Sequence, residues 1–98
     1  MSEEINQIVV PPSFIELFIE PGRIKPNAPR EQIAQRYEMC EDLATALTEQ
    51  AGTLQWQLGI AERDVLERMH AGLREPSSGL TEAEAQWVVR RLAELMDW

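Results

Sequence analysis

Between Pro29 and Leu58 the apolar positions fall in alternating steps of four and three: Ile33, Tyr37, Cys40, Ala44, Leu47, Ala51, Leu54 and Leu58. A helix turns once every 3.6 residues, so this spacing draws a single stripe down one side of it. Glu31, Glu38, Asp42 and Glu49 fall on the opposite side. Trp56 joins that polar side if the helix is continuous. Ala44 and Ala51 are small enough for another helix to approach closely. Gly52 weakens a helix by about 1 kcal/mol relative to Ala and marks a candidate kink or break. Asn27 is a plausible cap at the start, and Gly59 suits the left-handed position at the end.

Weaker patterns flank this segment. Ile5 to Val10 is strand-like, with Ile8, Val9 and Val10 β-branched, but Pro11 and Pro12 stop it. A lone strand has no partner, so it reads as an extended arm. Ser13-Phe14-Ile15-Glu16 has the form of a capping box and opens a short, mostly apolar helix that Pro21-Gly22 ends. A third helix is predicted over roughly Ala61 to Ala71, with Val65, Leu66 and Met69 facing inward and Ile60 ahead as a staple. Gly72 is its expected cap. After the turn Glu75 to Gly79, Thr81-Glu82-Ala83-Glu84 is a second capping box. The last helix then lines its core face with Ala85, Val88, Val89, Leu92, Leu95 and Met96.

These elements predict an all-α fold: a small four-helix domain with a long second helix and an extended N-terminal arm. The expected boundaries are 1–12 for the arm and 13–98 for a single helical domain. Short loops favour antiparallel neighbours.

Composition narrows the function. The chain has 98 residues, 44% of them hydrophobic, enough to offset chain entropy in one core. Its formal net charge of -8 repels phosphate backbones, which disfavours direct nucleic-acid binding. The acids are scattered, as on a solvated surface. The single cysteine, Cys40, excludes an intrachain disulfide and suits a reducing compartment. The acidic start lacks a secretory pattern, and no apolar run approaches a membrane span of about 18 residues. The expected location is the cytoplasm, without membrane association.

Candidate chemistry is sparse. The chain has no Gly-Lys pair and no Gly-x-Gly fingerprint, so a phosphate cradle and ATP hydrolysis lack support. Glu67 and His70 stand three apart on one helix face, as in carboxylate-bridged metal bundles. Those bundles need a second such pair and further carboxylates, for which Glu38 and Glu41 are the only helpers to hand. No metal site is therefore assigned, Glu67 and His70 being the sole candidates, and no cofactor is called for. Cys40 and His70 would make a nucleophile and base only if Cys40 were accessible. Its mid-stripe position makes it a buried, unreactive thiol instead. Arg23, Lys25 and Arg30 form a locally basic linker. Trp56, Trp87 and Trp98 remain. Trp87 and Trp98 lie to one side of the last helix's core face, and an exposed indole is a preferred anchor for a protein partner. Trp56 and Trp87 are the candidate protein-binding residues.

Three stretches also resemble a known family: Arg36 to Ala44 (RYEMCEDLA), Val65 to Leu73 (VLERMHAGL), and Thr81 to Met96 around Trp87-Val88-Val89-Arg90-Arg91-Leu92. They are similar to small bacterial helical proteins whose members are sometimes labelled "ATPase with chaperone activity". The resemblance runs from Pro11-Pro12 onward and implies a helical fold. Its motifs are structural, and it carries over no catalytic residue.

The reading that follows is a non-enzymatic protein-interaction or regulatory module with an unknown protein partner. It would act as a monomer or weak homodimer. The alternatives are a structural homodimer built on the long second helix and, after it, a metal-binding carboxylate/His protein.

Overall fold

The computed structural model describes residues 9–98. Among them every regular element is helical. α1 is Pro12–Ile15, continued by a 3-10 turn at Glu16–Phe18; α2 is Arg30–Leu58; α3 is Glu62–Leu73; α4 is Glu82–Met96. No strand occurs among the described residues, and none of their helices is long and apolar enough to cross a membrane. Most of the expected arm lies outside the described residues; of the four arm residues that are described, Val9 is 84% exposed. The chain's contacts fall into two compact units, Met1–Met39 and Cys40–Trp98, with the division inside α2.

In the first unit the aromatic residues hold the local structure. The Phe14 ring is fully buried. Its centroid lies 5.5 Å from that of Phe18 and 5.7 Å from that of Tyr37, the latter edge-on. These are favourable aromatic geometries. Ile33, one helical turn before Tyr37 on α2, is also buried. The start of α1 differs from expectation. Pro12, not Ser13, leads the helix, and extended Pro11 accepts the Phe14 and Ile15 N–H groups at 3.0 and 3.2 Å. Proline suits the first helical position because its missing N–H would have had no partner there. Ser13 thus sits inside the helix rather than at its cap. The turn at Pro21-Gly22 is as expected, with Gly22 at φ +82°. Asn27 does not cap α2: Pro29 precedes the first helical residue and accepts the Ile33 N–H, while the Asn27 N–H donates to the Phe18 carbonyl at 2.6 Å.

The second unit packs the rest of α2 with α3 and α4. Ala51, Val65, Met69 and Leu92 form the buried centre, with Leu47, Leu54, Ile60, Leu66, Met96 and Trp98 packed against it. Cys40 and Ala44 are also fully buried on the same stripe of α2. The stripe serves its own chain here. α2 runs unbroken through Gly52, so the candidate break there is not realised. It stops at Gly59, whose φ of +62° lets its N–H donate to the Gln55 carbonyl at 2.9 Å. α3 also continues past its expected end. Gly72 is helical, and Leu73 closes the helix as a buried residue.

α4 begins at the second capping box. The Glu84 N–H donates to Thr81 Oγ1 and the Thr81 N–H donates to Glu84 Oε1, both at 3.0 Å. Ala85, Val88 and Leu92 are fully buried as expected, but Leu95 is 39% exposed. Trp87 occupies the buried face instead. At the far end Asp97 adopts φ +60°, and the Trp98 N–H donates to the Ala93 carbonyl at 2.9 Å. That pair of features is a Schellman turn, and it folds the Trp98 ring back onto the unit's centre.

Candidate interaction surface

Continuity at Gly52 decides where Trp56 points. Each helical residue advances about 100°, so residues seven apart return to nearly the same side. Asp42, Glu49 and Trp56 are spaced by seven and all three are exposed. Ala44, Ala51 and Leu54 stand roughly 200° from their nearest members of that row, and the row therefore lies opposite the buried stripe. Thr45 and Thr53, the intervening residues on this face, are exposed as well.

The tryptophans separate by depth. Trp56 is 86% exposed and Trp87 only 7%. Trp98 is half-buried against the centre of the unit. Of the two candidate binding residues, only Trp56 presents its ring to solvent. Trp87 is withdrawn because the α4 face that holds Val88 and Leu92 is wide enough to include it. Leu58 and Leu95 are the other large apolar residues exposed in this unit, at 47% and 39%.

The metal candidates do not converge. Glu67 is exposed, whereas His70 is half-buried with its Nε2 buried and without a hydrogen-bond partner. Among the described residues no group of three or more His, Cys, Asp or Glu side chains is placed to hold a metal ion. Glu41, considered as a helper, is engaged elsewhere. Arg91 Nε donates to its two carboxylate oxygens at 2.9 and 3.1 Å, and Nη2 donates at 2.9 Å. Arg91 Nη1 also donates to Glu94 Oε1 at 3.0 Å. The hydrogen bonds to Glu41, then to Glu94, push the Arg91 guanidinium pKa further above its ordinary value. This fork joins α2 to α4. Sequence reasoning missed it, since no local signal links positions fifty apart.

Cys40 forms no disulfide and is fully buried, which withholds its thiol from any incoming electrophile. Arg23, Lys25 and Arg30 are exposed in and beside the linker ahead of α2. No family model, curated protein or solved structure matches the chain.

Proposed function

We propose that this chain is a non-enzymatic protein-interaction module and that Trp56 is its anchor. The observation that carries this reading is an indole 86% exposed on the side of α2 turned away from the buried stripe. Burying a large apolar side chain is worth about 1.5–3 kcal/mol, a gain the fold forgoes at this position. A partner that covers the ring recovers it, and tryptophan is the residue most enriched among such anchors. The net charge of -8 disfavours both nucleic acid and a second copy of the same chain. The α2 stripe that a homodimer would use is already filled from within the chain. The module accordingly works as a monomer or weak dimer, in the reducing cytoplasm that a single buried thiol suits.

The test compares wild type with Trp56→Ala. Stability should change by no more than about 0.5 kcal/mol, as for surface substitutions in general. Proteins retained by the immobilised wild type should be lost from the variant. An unchanged retained set, or a variant that melts far below wild type, would show that the ring serves the fold rather than a partner.

A further inference from the structure

The row that contains Trp56 also specifies the chemistry of what covers it. Between Arg36 and Arg63 the chain carries no Lys or Arg. The exposed face of α2 in the second unit therefore has carboxylates and no cation of its own. Of its acids, Glu41 is neutralised by the Arg91 fork. Asp42 and Glu49 take part in no ion pair among the described residues, and both share the row with Trp56. Seven residues of helix advance about 10.5 Å, so Asp42, Glu49 and Trp56 form three sites in line at that interval.

We infer that this face docks a cationic segment of a partner protein, with Arg or Lys side chains about 10 Å apart. One cation lies over the Trp56 ring and others meet Glu49 and Asp42. The inference rests on Trp56 being the anchor and adds the partner's charge. The face of an indole attracts a cation through its quadrupole, most strongly of the aromatic side chains, and the guanidinium also stacks on it. Carboxylates one and two steps along the same face favour a ligand that continues as a base. They disfavour an acidic or purely apolar one, which would leave them desolvated without a counter-charge. Thr45 and Thr53 are short, so long basic side chains can lie between the three sites without a clash. A second copy of this chain is a poor occupant, because it would bring its own carboxylates to the same face.

The experiment uses two synthetic helical peptides of equal length and composition. In one, Arg recurs every seven residues on an Ala/Gln background; in the other the same Arg residues are clustered at one end. Binding to the full chain is followed by titration calorimetry and by tryptophan fluorescence. The spaced peptide should bind at least tenfold more tightly than the clustered one. Trp56→Ala should weaken it tenfold or more, and Glu49→Gln or Asp42→Asn about threefold each. Trp56→Phe, with a weaker quadrupole, should fall between. Equal affinity for the two peptides, or for wild type and Trp56→Ala, would overturn the inference, since charge attraction alone predicts both. The same variants also keep the two proposals apart. Loss of the cellular partners with Trp56→Ala but not with Glu49→Gln or Asp42→Asn would overturn the cationic segment and leave the anchor standing. Retention of the partners by Trp56→Ala would remove the anchor itself.

Discussion

Gly52→Ala should stabilise this protein, and the size of the effect follows from three local facts. Gly52 lies in the interior of a continuous α2, and its φ is not positive, so alanine fits the backbone. Replacing an interior helical Gly by Ala gains about 1 kcal/mol from helix propensity, largely by restricting the unfolded chain. A Cβ at this position would meet only the Met96 Cε, at 3.9 Å, which is ordinary van der Waals contact. Because the site is half-buried, the new methyl adds a few tenths of a kcal/mol of apolar burial. The sum is about 1–1.5 kcal/mol. With a urea m-value of about 1–2 kcal/mol/M for a small protein, the midpoint should rise by roughly 0.5–1.5 M with m unchanged. Gly59→Ala is the internal control. Its φ of +62° is costly for any residue with a Cβ, and nothing else lies within 4 Å, so the same substitution should lower stability by about 1–2 kcal/mol. A Gly52→Ala protein that melts at or below the wild-type midpoint would refute the continuous helix, and with it the placement of Trp56 on the outer face.

Three further outcomes test other parts of the fold. Thr81→Ala should cost about 1 kcal/mol by removing the oxygen that accepts the Glu84 N–H; an unchanged denaturation midpoint would mean that α4 starts elsewhere. Asp97→Gly should add about 0.5–1 kcal/mol, because Asp97 now holds a left-handed φ of +60° that glycine adopts freely; a loss in thermal melts would show that the carboxylate itself matters. Cys40 should react with an aromatic disulfide reagent only as fast as the protein opens, and rapid stoichiometric labelling of the native chain would place it at the surface.

Features fixed within a few residues were legible in the sequence. The Thr81–Glu84 box, the left-handed Gly59 and the α2 stripe through Cys40, Ala44 and Ala51 all follow from short-range spacing. So did the outward position of Trp56, once Gly52 is helical. The start of α1 was legible too, but the serine signal masked the stronger constraint from Pro12 one residue earlier. Gly72 illustrates the opposite failure. Glycine permits a left-handed cap without requiring one, and the burial of Leu73 draws α3 on past it. The inward turn of Trp87 and outward turn of Leu95 depend on how α4 rolls against its neighbours. Periodicity gives the existence of a face but leaves its centre uncertain by about one residue. The Arg91–Glu41 fork lies beyond any local rule, because only the folded chain brings those helices together.

The graded depth of the three indoles gives this protein two optical channels. Trp87 passes from a nearly water-free setting to bulk solvent when the chain unfolds, so its emission should shift to the red and become open to quenching by iodide. Trp56 is already in water, and its emission should hardly register unfolding; it should respond when something settles over the ring. Trp98, at intermediate depth, should follow fraying of the C-terminal turn before the rest of the unit melts. One cuvette can therefore report folding and surface occupancy as separate signals, with single-tryptophan variants assigning each band to its ring.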